Sequence, residues 1–162
     1  MFEQFGEFNT VEEMNEAAAN QLKEGDREAL IALAEENGID AEDAEDYMEG
    51  FMDCLATPMM AAYGKLEVEA KEMKLTEIML DWYEYIKATC AKSEEMQRAV
   101  RQKGKSLKGC IGALLAWSFK HQTEIPKDII KEAGINNVSK VTIGIPGIGQ
   151  AKKIITDYYL GA

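Results

Sequence analysis

Apolar residues recur at helical spacing along most of the chain, between residues that typically cap helices. Thr10 followed by Glu13 is a capping-box pattern, and Gly25 and Gly38 stand where helices are expected to end. The longest apolar face is predicted for a helix that starts at Asp40 and includes Ala44, Tyr47, Met48, Phe51, Met52 and Leu55. This periodicity favours a mostly α-helical fold.

Start and stop signals divide the rest of the chain into further predicted helices. These are expected to begin at or near Asp26, Thr76, Ser93, Ser106, Pro126 and Gly149. Thr57-Pro58 is expected to break the helix that starts at Asp40, and residues 59–73 form one helix or two, punctuated by Gly64. Only residues 141–145 have clear strand character, so one short strand or extended segment is expected near 140–145, with no evident partner.

The most apolar predicted helix follows Ser106 and is expected to lie at the centre of the core. Its core residues would be Leu107, Cys110, Ile111, Leu114, Leu115 and Phe119. Trp82 is also expected to face the core, whereas Tyr83 and Tyr85 are expected to form an aromatic edge that faces a partner.

The size and composition of the chain suit one compact multi-helix domain over residues 1–162. Of the 162 residues, 46% are hydrophobic and 29% are charged, which is typical of globular proteins. The longest uncharged apolar stretch, residues 109–119, is too short to span a membrane, and Met1–Phe5 lacks a signal-peptide pattern. We therefore expect a cytoplasmic protein with no membrane partner.

Few residues suit metal or cofactor chemistry. The three cysteines, Cys54, Cys90 and Cys110, are widely separated and are expected to be reduced and mostly buried. His121 is the only histidine, so a zinc site is not expected. No nucleophile is placed beside a base, and we predict neither a cofactor nor an enzymatic activity.

Charge divides the chain into two halves of opposite sign. Residues 1–84, the acidic half, carry 23 acidic and 5 basic residues, a net charge of −18. Residues 85–162, the basic half, carry 6 acidic and 13 basic residues, a net charge of +7. A dense acidic surface repels nucleic acid and attracts basic grooves, so this distribution favours a binding protein.

The predicted helix that starts at Asp40 carries the densest group of carboxylates: Glu42, Asp43, Glu45, Asp46, Glu49 and Asp53. Four of these, Glu42, Asp46, Glu49 and Asp53, are predicted to line one face. No lysine or arginine occurs from Glu28 to Tyr63, so the usual cationic neighbours are missing. The row is either a solvated face that maintains solubility or a phosphate mimic that binds a basic groove.

Basic residues form two candidate phosphate-binding groups in the second half: Arg98, Arg101, Lys103, Lys105 and Lys108, then Lys152 and Lys153. Arg98, Arg101 and Lys105 could share a helix face and bind phosphate, or they could neutralise the acidic half. Lys152 and Lys153 follow the glycine-rich turn 144–149. This turn is similar to the hairpin of helix-hairpin-helix DNA-binding motifs, but it could simply pack the last helix.

Several of these stretches together resemble the PcfK-like family, which conjugative elements of Gram-positive bacteria carry. The resemblance rests on residues 33–47, 55–62 and 103–110 and on the glycine-rich turn before Lys152-Lys153. Members of that family are described as anti-CRISPR proteins that inhibit the type II CRISPR effector nuclease. The resemblance implies the same role and the same partner here, and it carries over no catalytic residues.

The resemblance and the charge distribution lead to one expected function and one alternative. The type II nuclease holds its guide–target heteroduplex in a positively charged channel, where an acidic surface could compete. We expect a protein that binds the guide-loaded nuclease and blocks target DNA binding or cleavage. The alternative is an accessory DNA-binding or transfer protein of a conjugative element, acting through its basic half.

Overall fold

The computed structural model describes residues 2–161, in which nine α-helices and one two-stranded ladder confirm the predicted mostly helical fold. The first five helices are α1 (Val11–Glu24), α2 (Arg27–Glu36), α3 (Ala41–Glu49), α4 (Pro58–Met73) and α5 (Ile78–Cys90). The last four are α6 (Glu94–Arg101), α7 (Leu107–Lys120), α8 (Lys127–Glu132) and α9 (Ile148–Leu160). The strands are β1 (Thr123–Glu124) and β2 (Thr142–Ile143). None of the helices within residues 2–161 is long and apolar enough to cross a membrane.

Side-chain caps begin several helices at the predicted residues. The hydroxyl of Thr10 accepts the N–H of Glu13 at α1, and Ser93 and Ser106 make the equivalent bonds at α6 and α7. Gly25 ends α1 in the left-handed conformation, with φ of 74°. These predictions succeed because a cap depends on residues three positions apart.

The predicted course of α3 is wrong beyond Glu49. Gly50 adopts φ of 84° and ends the helix, and its N–H donates to the carbonyls of Asp46 and Tyr47. The apolar periodicity that seemed to continue to Leu55 therefore does not describe one helical face. Phe51, which that pattern placed in the core, is 76% exposed.

The structure also answers or corrects the expectations for α4, for the start of α5 and for the core residues of α7. Residues 59–73 belong to a single helix, α4, which Thr57 caps. Thr76 does not cap α5, because Glu77 precedes it with a positive φ of 49° and no side-chain cap. Leu115 and Phe119 are exposed rather than central to the core.

The strand expected near 140–145 has a partner that the sequence did not reveal. β2 pairs antiparallel with β1, with Thr123 opposite Ile143 and Glu124 opposite Thr142. The ladder joins two segments that flank α8 and is exposed on both sides. It is too short to contribute a sheet core.

Buried side chains form two hydrophobic clusters. The first cluster packs α1, α2 and α3 around residues such as Met14, Leu30 and Leu33. The second packs α4, α5, α6, α7 and α9 and includes Ile86 and Leu114. Because α4 contributes residues to both clusters, it connects the acidic α1–α3 region to the rest of the fold.

Two glycines allow the close contact that joins these clusters. Gly38, after α2, has φ of 71° and lies directly against Gly64 in the middle of α4. A Cβ on Gly64 would overlap the backbone oxygen of Asn37, and one on Gly38 would overlap the backbone of Gly64. Gly64 is therefore a packing residue within α4 and not a helix break.

Candidate partner-binding surface

The predicted acidic residues are displayed on α3 and the turn that follows it. We call Glu42, Asp43, Glu45, Asp46, Glu49 and Asp53 the acidic surface. α3 buries Ala44 and Tyr47 against the first cluster, which turns the carboxylates outward or to the sides. Glu42, Glu45, Glu49 and Asp53 are exposed, whereas Asp43 and Asp46 are half-buried.

The expected single row of four carboxylates is only partly correct. Glu42, Glu45 and Glu49 are the exposed acidic residues of α3, and Asp46 lies partly inward. Asp53 falls after the helix ends at Gly50, so it cannot continue a helical row. The acidic surface is therefore a helical group of five carboxylates with a sixth in the following turn.

No residue of the acidic surface makes an ion pair or side-chain hydrogen bond within residues 2–161. Like charges at three- and four-residue spacing on α3 repel each other by a few tenths of a kcal/mol per pair. No cation within residues 2–161 pairs with these carboxylates to offset that repulsion. The negative electrostatic potential of the acidic surface therefore extends into the solvent.

Phe51 gives the acidic surface an aromatic neighbour that the sequence pattern did not predict. Its ring is 76% exposed and follows directly on Gly50. The periodicity placed Phe51 in the core, because it assumed that the helix continued. The signal that could have found it is Gly50, since glycine commonly ends a helix by adopting a left-handed conformation.

A cavity of about 200 Å³ opens beside the acidic surface, between the start of α3 and α4. Asp40, Asp43 and Glu67 contribute carboxylates to its wall, and Met59 and Tyr63 contribute apolar and aromatic surface. Acidic and aromatic groups in one concave site are complementary to a basic side chain. Glu67 already pairs with Lys87 at 3.5 Å, and the Lys87 ammonium lies over the Tyr63 ring. The unpaired carboxylates of the cavity within residues 2–161 are therefore Asp40 and Asp43.

The basic candidates do not form the predicted shared helix face. Arg101 is only 1% exposed, and its Nη2 donates to Asn37 Oδ1 at 2.9 Å. Lys105 lies beyond the end of α6, where its Nζ donates to the Tyr158 carbonyl at 2.5 Å. Burial and internal bonding therefore keep these two cations off the exposed helix face that includes Arg98.

Arg98 and the two C-terminal lysines are exposed but have partners. Arg98 bonds Glu12 at 2.6 Å and Glu94 at 2.9 Å, and this contact lowers the pKa of the Glu12 carboxyl. Lys153 pairs with Asp157 at 2.8 Å, and the Lys152 ammonium lies over the Tyr85 ring. Lys103 and Lys108 are exposed, and neither ammonium has a partner within the described chain, although the Lys103 backbone N–H donates to Asn9 Oδ1.

Lys65 is a buried cation that sequence reasoning missed. Its Nζ donates to Glu7 Oε1 at 2.6 Å and to the carbonyls of Gln102 and Lys105 at 2.9 and 2.6 Å. Burial lowers the pKa of this ammonium. We call Lys65, Arg101 and Lys105 the inner cations, because each uses its charge inside the fold.

Glu69 completes the polar layer around Lys65. It lies one turn further along α4, and its Oε2 accepts the N–H of Leu107 at 2.6 Å, at the start of α7. Burial raises the pKa of Glu69 despite that hydrogen bond and the nearby Lys65. The layer ties α4 to α7 and to the segment that joins α6 and α7.

The glycine-rich turn makes packing contacts, whereas the predicted aromatic edge is wrong for Tyr83. A Cβ at Gly144 would overlap Ser118 O and the Gln122 side chain, so this part of the turn packs tightly on the end of α7. Tyr83 is buried rather than partner-facing, and Tyr85 is half-buried. These contacts agree with the packing interpretation of the turn.

Little in the described chain resembles a catalytic or metal centre. Within residues 2–161, no three or more histidine, cysteine or acidic side chains are grouped to hold a metal ion. Cys90 and Cys110 are free and buried, and burial raises the pKa of each thiol to about 12. Comparison with protein-family models, curated proteins and solved structures finds no match.

Proposed function

We propose that this protein is an anti-CRISPR inhibitor that binds a guide-loaded type II CRISPR nuclease in the bacterial cytoplasm. The acidic surface would occupy a basic nucleic-acid site and block target DNA binding or cleavage. One observation carries the proposal: six clustered carboxylates point to solvent or lie at its edge, with no cation paired to them in residues 2–161.

The chemistry of the partner explains why such a surface would bind. The nuclease holds its heteroduplex by the backbone in a positively charged channel, and arginines read a short duplex motif. Carboxylates on a rigid helix can satisfy those cations without the flexibility of free nucleic acid. Complementary charge also accelerates encounter, which predicts association that weakens as salt increases.

Phe51 and the cavity beside α3 would supply contacts that charge alone does not. Exposed aromatic residues at interfaces often contribute a large share of binding energy. The carboxylates of Asp40 and Asp43 in this cavity suit an arginine or lysine of the partner. The proposed interface therefore has an apolar anchor next to its charged surface.

The second candidate is DNA binding by the basic half, as an accessory or transfer protein of a conjugative element. The observation in its favour is that Lys103 and Lys108 are exposed and that neither ammonium has a partner in the described chain. Arg98, Lys152 and Lys153 are exposed but partnered. The basic half thus offers fewer available cations than its composition indicates.

A binding and cleavage assay separates the two candidates. The purified protein would be tested against guide-loaded type II nuclease and, separately, against bare duplex DNA. We expect capture of the nuclease, inhibition of target cleavage and no capture of DNA. Capture of DNA alone, lost on changing Lys103 and Lys108 to glutamine, would favour the conjugation role.

Charge reversal tests which surface is responsible. The triple variant Glu42→Lys, Glu45→Lys and Glu49→Lys should abolish binding and inhibition. The control triple, Glu84→Lys, Glu95→Lys and Glu132→Lys, changes the net charge equally at exposed sites elsewhere. Equal losses in both variants would mean that net charge matters and the acidic surface does not. Inhibition that survives the first triple in a folded protein would refute the proposed surface.

A further inference from the structure

The Arg101 guanidinium is buried with unused hydrogen-bonding capacity. Nη2 bonds Asn37, but Nε and Nη1 have no hydrogen-bond partner within residues 2–161, although the residue is only 1% exposed. Burial lowers the pKa of Arg101, and the charges of Glu7, Glu69 and Glu13 oppose that effect. Buried polar atoms normally have partners, and a guanidinium N–H without one can donate to an oxyanion.

Arg101 forms part of the wall of a cavity of about 190 Å³ between α1, α4 and α6. The other lining residues are Asn9, Thr10, Val11, Pro58, Gln97, Arg98 and Gln102. A water molecule needs only about 10–15 Å³ of such space, so a polyatomic ion has room to enter. The cavity thus has one buried and one exposed arginine in its lining.

Two helix starts also contribute to this cavity. Val11 is the first residue of α1 and Pro58 is the first residue of α4. The N-terminal end of a helix carries partial positive charge. The side chains of Thr10 and Thr57 each accept one N–H there and Pro58 has none, so the helix starts contribute mainly this partial charge. The nearby carbonyl of Gln102 is occupied, because Lys65 donates to it.

Carboxylates near the cavity are themselves engaged. Glu12 pairs with Arg98 at 2.6 Å, and Glu13 accepts the N–H of Asn9 at 2.8 Å. Glu7 bonds Lys65, also at 2.6 Å. An incoming anion would therefore compete with Glu12 and Glu94, which both pair with Arg98.

We propose that this cavity is a binding site for a phosphate-type oxyanion, with Arg101 as the buried ligand and Arg98 as the exposed one. The site is separate from the acidic surface and does not depend on the function proposed above. Phosphate could arrive as the free ion or as the terminal phosphate of a nucleic-acid strand. Both sources present the same chemistry to the two guanidinium groups.

Titration of the full chain with inorganic phosphate tests the site by amide NMR, with chloride at matched ionic strength as the reference. We expect saturable shifts at Val11, Gln97 and Gln102 that chloride does not produce. Glu12→Gln should tighten binding at least threefold by freeing Nη1 of Arg98, while Glu94 keeps its bond to Nε. Arg98→Gln should weaken it at least fivefold, whereas the charge-matched control Lys108→Gln should leave it unchanged.

Arg101→Lys should abolish the shifts, and the wild-type mapping keeps the test valid if that buried variant fails to fold. A 5′-phosphorylated and a 5′-hydroxyl oligonucleotide would then identify the source. Preference for the phosphorylated strand indicates a strand end, and equal behaviour indicates the free ion. The proposal is overturned if phosphate and chloride act alike, or if binding is insensitive to Arg98 and Glu12.

Discussion

The acidic surface and the inner cations use charge in opposite ways. Carboxylates such as Glu45 and Glu49 are exposed on α3 and lack partners within residues 2–161. Lys65, Arg101 and Lys105 are directed inward to carbonyl, amide or carboxylate oxygens. The comparison teaches that the sign of a segment in sequence does not reveal which of its charges a partner can reach.

The largest expected effect comes from breaking an inner cation. Lys65→Met removes three hydrogen bonds and leaves Glu7 and Glu69 without their shared cation. We expect the free energy of unfolding to fall by about 3–5 kcal/mol, the usual cost of breaking a buried ion pair. Urea denaturation would measure it, with exposed Lys103→Met as a control expected to change stability by less than about 0.5 kcal/mol.

The next largest effect tests the joint between the two clusters. Gly64→Ala places a Cβ against the Asn37 backbone, which cannot move aside as a flexible side chain would. We expect destabilisation of about 3 kcal/mol, at the upper end for overpacking. Gly112→Ala is the matched control, because it lies within α7 with nothing near its Cβ position. Equal stability of the two variants would show that the glycine contact is not required.

A third prediction separates binding from stability on the acidic surface. Phe51→Ala should weaken nuclease binding by about 1–2 kcal/mol, or roughly 5- to 30-fold, if Phe51 is an interface anchor. Its exposed ring predicts almost no change in melting temperature. Phe119→Ala is a matched control, since Phe119 is 75% exposed on a different helix. If Phe51→Ala and Phe119→Ala bind the nuclease with similar affinity, Phe51 does not contribute to the interface.

The fourth prediction concerns pH and Glu69. Burial raises the pKa of Glu69 above its usual value of 4.5, so the folded state binds this proton more tightly than the unfolded state does. The resulting stability is present below pH 4.5 and is lost as the pH rises through the raised folded pKa. We therefore expect the free energy of unfolding of the wild type, minus that of Glu69→Gln, to decline as the pH rises over that range. If this difference rises with pH instead, folding lowers the pKa of Glu69 and the assigned direction of the shift is wrong.

The smallest effect sharpens the comparison from the acidic side. Glu45→Gln removes repulsion between Glu45 and Glu49, which are four residues apart on α3. We expect stability to increase by about 0.2–0.5 kcal/mol at low salt and the gain to shrink at high salt. Paired thermal melts at two salt concentrations would detect it. A loss of stability instead would mean that Glu45 has a favourable contact.

Much of the fold was predictable because its signals are local. Thr10, Ser93 and Ser106 each bond a backbone N–H three residues away, so neighbours in sequence suffice to place a helix start. Gly50 carried a similar signal, but the apolar run through Phe51 outweighed it. The pairing of β2 with β1 was not predictable, because its partner lies about twenty residues away and both strands are only two residues long.

The candidate site also has features that the sequence predicted and features that only the structure revealed. By itself the sequence determined that carboxylates cluster around residues 42–53 without neighbouring cations, since charge and helical spacing are local properties. Only the tertiary structure decided that Arg101 is buried, that Lys105 binds a carbonyl of α9 and that Phe51 is exposed. Exposure and partnering depend on which distant segments pack together, and in this protein that packing rests on contacts such as Gly38 against Gly64.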